Sequence, residues 1–138
     1  MVDPAKVEGI IGNLRRYTGH LHHLASYDES EFLADPIKVG AARHYLQIAI
    51  ESCIDLANHI IATEGLRAPR DYRDTFKVLN EAGIMPDDFL PTLQDMASFR
   101  NRLVHLYWEV GDRRVHHSLV HELNDFETFI AHVLAFLT

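Results

Sequence analysis

Residues 98–115, SFRNRLVHLYWEVGDRRV, place Arg100, Asn101, His105 and Tyr107 within eight residues of one another. Arginine offers a permanently charged planar fork that matches phosphate oxygens. Histidine changes its charge near neutral pH and so suits proton transfer. From Arg100 to His117 the segment carries four arginines (100, 102, 113 and 114) against Glu109 and Asp112, a local balance of +2. The whole chain has the opposite sign: 13 Lys plus Arg against 20 Asp plus Glu, a formal charge of −7. That acidity argues against broad electrostatic binding of nucleic acid, so any polyanion has to be handled at this segment.

An element must position these groups, and the spacing predicts a helix over residues 90–110, with Pro91 in its first turn. At about 100° per residue, Met96, Phe99, Leu103, Leu106 and Val110 share a core-facing stripe. The opposite side holds Asn101, Val104, His105 and Trp108, where a surface helix would carry only solvated groups. A large apolar side chain there predicts a cover, supplied by another helix or a second subunit. Arg100 and His105 lie about 140° apart on a straight helix. Either the helix is distorted between them, or the site is assembled from two copies across a two-fold axis. The second option also covers Trp108, and we favour it, with Val104 and Trp108 at the dimer interface. Tyr107 falls about 20° from Arg100, two turns along the same edge.

The rest of the chain reads as helices that pack around this one. Val7, Ile10, Leu14, Tyr17, Leu21 and Leu24 step by three and four from a start near Pro4. A second helix spans about residues 37–64, with Gly65 as its C′ residue; Gln47, Glu51, Asp55 and Asn58 draw the one polar line along its apolar middle. RDYRDTFKVLNEAG gives a shorter helix stopped at Gly83, and Leu119, Leu123, Phe126, Ile130, Val133 and Leu137 form the last stripe. The expected fold is all-α, an up-and-down bundle of about five helices, with residues 1–138 as one domain. A chain of this size buries roughly two-thirds of its unfolded surface, so Cys53, the lone cysteine, is not needed for stapling and fits a reducing cytosol. MVDPAKVEGIIGNL lacks the basic start and apolar run of a signal peptide, and no window approaches 18 uncharged apolar residues. The expectation is a cytoplasmic protein with no membrane partner.

Arg100-Asn-Arg-Leu-Val-His105-Leu-Tyr107 reads R-x4-H-x-Y, and this resembles the signature of the HEPN superfamily, its trailing tyrosine that of the HepT branch of toxins. RHYLQIAIESCIDLANHII and YRDTFKVLNEAGI are similar to the corresponding HepT helices, so the resemblance covers roughly residues 43–110. It implies a homodimeric, metal-independent endoribonuclease without cofactor, acting on transfer or messenger RNA rather than DNA. Arg100 and His105 would be catalytic, Asn101 would support them by orienting phosphate or histidine, and Arg102 is a weaker candidate for RNA contact. It further implies a type VII-like toxin–antitoxin pair with an MNT-type nucleotidyltransferase antitoxin that silences the toxin by AMPylation of Tyr107. The alternative is a non-catalytic HEPN binding module that supports a partner nucleotidyltransferase.

Blander readings compete at several positions. A lone histidine is by default a structural one; the register of His105 with Arg100, Asn101 and Tyr107 turns that judgement towards function. Arg113 and Arg114 read equally as surface charge or substrate contacts. Glu51 and Asp55 read as solvated or interface residues, with orientation of an arginine from another helix as the other option. His20, His22 and His23 cluster, and His117 with His121 has the spacing of a helical ligand pair, but no cysteine or carboxylate completes a known pattern and H-E-x-x-H is absent. No metal is expected, and no glycine-rich phosphate loop or G-x-S-x-G elbow is present.

Overall fold

The computed structural model describes residues 2–138, and among them there are seven α-helices and no strand. These are α1 (Pro4–Ala25), α2 (Glu29–Leu33), α3 (Pro36–Thr63), α4 (Tyr72–Glu81), α5 (Leu90–His105), α6 (Asp112–His121) and α7 (Asn124–Leu137). A 3-10 turn, Tyr107–Glu109, follows α5.

Local chemistry sets most of the boundaries. Aspartates 3, 28, 35 and 71 cap the first four helices, their side chains accepting backbone N–H groups that the first turn leaves unpaired. Pro4 and Pro36 sit at first-turn positions, where a missing N–H costs nothing. Gly65 and Gly83 adopt positive φ, +66° and +78°, and the next residue's N–H reaches back to Ile61 and Leu79 respectively, at 3.0 Å each. Both are glycine C′ caps of the Schellman type, conformations an L side chain resists.

α3 is the central helix and touches all six others. Leu46, Ala49, Ile50, Cys53, Leu56, Ala57 and Ile60 are buried along it, leaving only a narrow polar line. Burial pushes the Cys53 thiol well above its ordinary range. No helix among the described residues is long and apolar enough to cross a membrane.

Three boundaries depart from the expectation of about five helices. The break between α1 and α3 contains α2, capped by Asp28 and anchored by the fully buried Phe32. The last stripe is split in two: Glu122 is bound by Arg114 and Ser118, and three-residue backbone turns at 122–126 restart the helix with Leu123 buried. The motif helix ends at His105 instead of reaching Val110. Val110 turns back into the core, and burying it contributes about 1.5–3 kcal/mol. Extended backbone at Val110 and Gly111 then leads into α6.

Candidate active site

Arg100 lies on the flank of α5 that faces α3 and α4. Its Nε and Nη2 donate to Oε2 of Glu51 on α3, at 3.2 and 3.0 Å. Nη1 donates to Oδ1 of Asn101 at 3.1 Å, and the guanidinium carbon stands 5.0 Å from the ring centre of Tyr72 at the start of α4. The pair is largely withdrawn from water, with side-chain exposures of 14% for Arg100 and 29% for Glu51. Gln47, one turn before Glu51, donates its amide to the same carboxylate at 3.4 Å. Asp55, one turn after, has its carboxyl raised by desolvation and, secondarily, by the Glu51 charge. The polar line on α3 is thus the wall against which Arg100 is fixed. Spacing within α5 gave no sign of Glu51 as its partner; the signal was the polar line itself, on a helix otherwise apolar.

His105 is the last residue of α5, exposed, and its ring has no hydrogen-bond partner among the described residues. The helix runs unbroken from Arg100 to His105, so the two stay about 140° apart around its axis. The distortion falls after the histidine. Leu106 leaves helical conformation at φ −134° and ψ 40°, so the expected alignment of Tyr107 with Arg100 along one helix edge does not occur. Leu106 likewise leaves the core stripe, at 38% exposure, and Met96 is only partly buried.

Tyr107 and Trp108 project from the turn, 61% and 67% exposed, their rings edge to face at 5.4 Å. The backbone beneath them is held firmly. Arg43 of α3 donates Nη1 to the Tyr107 carbonyl at 3.3 Å and Nη2 to the Val110 carbonyl, and pairs with Asp112 at 2.9 Å. Arg102 adds a bond from Nη2 to the Glu109 carbonyl at 3.4 Å. These donors engage carbonyls of the turn and of Val110 just beyond it, outside the helical ladder of α5. Arg43 was not singled out by sequence; no local rule links it to a turn more than sixty residues away.

Of the four arginines in the motif segment, Arg102 alone has no carboxylate partner among the described residues. Arg114 pairs with Glu122 at 2.7 Å and lies over the Phe99 ring, and Arg113 is 3.9 Å from Glu29. Val104 and Asn101 are half-buried. Within this chain nothing covers Trp108, contrary to the idea of another helix of the same chain behind it. His117 and His121 have their rings 4.6 Å apart, and no group of three or more potential metal ligands is present among the described residues.

Residues 8–133 match the family described as Ribonuclease HepT-like, a span from within α1 to within α7 that contains Glu51, Arg100, His105 and Tyr107. The chain belongs to the HepT-like ribonuclease family. It is 36% identical over 103 residues to the mRNA nuclease HepT of Shewanella oneidensis, covering 75% of this chain and 77% of that protein. It is 20% identical over 138 residues to the tRNA nuclease HepT of Aphanizomenon flos-aquae, covering 99% and 92%. Among solved structures, the tri-AMPylated Shewanella oneidensis HEPN toxin in complex with MNT antitoxin superimposes with a TM-score of 0.86 at 31% identity, over 94% of this chain and 96% of that one. The HepT-like fold here is therefore the one expected from the motif, with seven helices in place of about five.

Proposed function

We propose that this chain, residues 1–138 as one domain, is a cytoplasmic, metal-independent endoribonuclease toxin, paired with an MNT-type nucleotidyltransferase antitoxin. The observation that carries the reading is the division of labour around α5: a fixed guanidinium with donors to spare, and an unpartnered imidazole at the helix end. Family membership supplies the class of reaction. In that reaction the ribose 2′-oxygen bonds to the adjacent phosphorus while the bond from phosphorus to the 5′-oxygen breaks. His105 handles the proton that leaves the 2′-hydroxyl or the proton gained by the departing 5′-oxygen. Arg100 stabilises the charge that grows on the non-bridging oxygens, with Asn101 supporting it. The products are a cyclic 2′,3′-phosphate and a 5′-hydroxyl, and no co-reactant is consumed.

Because Arg100 and His105 diverge on one helix, the site is assembled from two copies, with Val104 and Trp108 in the interface. Tyr107 is the modification site. Its phenolic oxygen attacks the α-phosphorus of ATP held by the antitoxin, and pyrophosphate departs. The new phosphodiester brings bulk and negative charge beside the cleft and competes with RNA. Exposure of the Tyr107 ring on a fixed turn supports this assignment, as does the AMPylated state of the Shewanella oneidensis relative. The RNA class is left open, since one relative is an mRNA nuclease and the other a tRNA nuclease. Arg102, exposed and without a carboxylate, is the candidate for a backbone phosphate.

The test is cleavage of total cellular RNA by purified protein in chelator, beside His105→Ala and Arg100→Ala, with mass spectrometry confirming an unmodified Tyr107. Cyclic-phosphate ends from wild type alone support the toxin. Intact RNA with clean, dimeric protein favours the alternative, a non-catalytic binding module for a partner nucleotidyltransferase, to which the net charge of −7 is better suited.

A further inference from the structure

Resting on the catalytic assignment of Arg100, we infer that Glu51 is the positioning residue of the reaction, fixing the guanidinium so that its remaining donors meet the scissile phosphate. A guanidinium has five N–H donors. Three are engaged here, Nε and one on Nη2 with Glu51, and one on Nη1 with Asn101. One donor therefore remains on each terminal nitrogen, the number needed for the two non-bridging oxygens of a phosphodiester. Tyr72 supports the flat face, at 5.0 Å.

The anchor is rigid for a reason that lies in α3. Ile50, Ser52, Cys53 and Ile54 around Glu51 are all buried, so the backbone that carries the carboxylate cannot drift. Gln47 holds the carboxylate from one turn away. A flexible arginine would have to be ordered during the reaction; this one is ordered before RNA arrives. The pair also balances its own charge, so Arg100 adds little to ground-state attraction for RNA. Its remaining donors act as charge builds on the phosphorus oxygens, which raises turnover more than affinity.

The experiment is RNA cleavage by full-length, unmodified protein with Glu51→Ala, Glu51→Gln and Glu51→Asp, each checked for melting temperature and dimer content. Binding is read separately, by fluorescence anisotropy with an RNA carrying 2′-O-methyl groups and so unable to cleave. Glu51→Ala is expected to lower kcat at least about tenfold, with affinity for the blocked RNA unchanged or tighter. Glu51→Gln, which keeps an acceptor, should recover part of the loss. In an Arg100→Lys background, where the fork is already gone, Glu51→Ala should cost little more, because both changes act through one group. Wild-type cleavage that Arg100→Ala abolishes and Glu51→Ala leaves intact overturns this inference alone. So does an undiminished loss in the Arg100→Lys background, or affinity that falls in step with kcat. RNA left whole by the wild type overturns it together with the assignment beneath it.

Discussion

The two ends of the R-x4-H span differ in kind. At Arg100 the side chain is the fixed element: it is half-buried, paired across to α3, stacked on α4, and finished within one chain. At His105 to Trp108 the backbone is fixed and the side chains are not; Arg43 and Arg102 hold the carbonyls while imidazole, phenol and indole face outwards. A structure that orders a turn this thoroughly without burying its aromatic rings gains little hydrophobic stabilisation from them. The proposed second copy and antitoxin are what would give those rings a use. The socket can therefore be tested by changes in one chain, whereas the tip is tested by what binds to it.

The largest expected effect separates the two ends most sharply. His105→Ala should abolish cleavage, by at least about a hundredfold given the usual weight of a general acid or base. Its stability, read from melting curves, should change by no more than about 0.5 kcal/mol, the range of an exposed substitution. Arg100→Ala should lose activity as well, but it also strands the Glu51 carboxylate. That costs about 1 kcal/mol, well below the penalty for a fully buried pair because both partners keep some water. Equal thermal stability for the two variants would break the contrast between a built end and a waiting one. Next in size is Trp108→Glu. The ring is 67% exposed in the chain, so the protomer should keep its stability while sedimentation shows monomers and activity falls with the dimer. A dimer that persists would move the two-fold contact away from the tip.

Arg43→Met sharpens the comparison from the backbone side. It removes three bonds to the turn and leaves two carbonyls and Asp112 without that donor. About 2 kcal/mol of stability should be lost, with amide exchange rising over residues 106–112 and not in α3. Transfer of AMP to Tyr107 should slow, since the acceptor ring would no longer be presented on a fixed turn. Exchange unchanged at the turn would show that Val110 in the core is enough to hold it.

This division also explains what could be read from the sequence. Gly65, Gly83 and the capping aspartates act within a few residues, so their helix ends are legible locally. The burial of α3 followed from its apolar circumference. The end of α5 did not, because no glycine or proline marks residue 106 and a wheel simply continues at constant angle. What stops the helix is Val110 returning to the core and an arginine from α3, both tertiary facts. α6 and α7 are likewise parted without a breaker residue: Leu123 is buried there, and Glu122 is bound by Arg114 and Ser118. Arg100 was legible as chemistry, and Glu51 only as part of a polar line. Which side of that line would be used depends on where α5 packs.

The smallest effect probes that polar line. The Asp55 carboxyl is raised above its ordinary value, chiefly by desolvation and then by Glu51 one turn away. A carboxyl whose folded value is raised opposes folding once it ionises, and the burden disappears as pH falls through that raised value. Asp55→Asn should therefore stabilise the protein at neutral pH, by no more than a few tenths of a kcal/mol because the side chain is exposed and its charge is screened. At pH values where Asp55 is already protonated the gain should vanish. Glu51 belongs to the same line with the opposite outcome, since Arg100 balances its charge at 3.0 Å and removing it strands a cation. Melting curves of both variants at neutral pH, and of Asp55→Asn also in acid, measure this difference. Two adjacent carboxylates that responded alike would mean that the Arg100 pair does not distinguish one turn of α3 from the next.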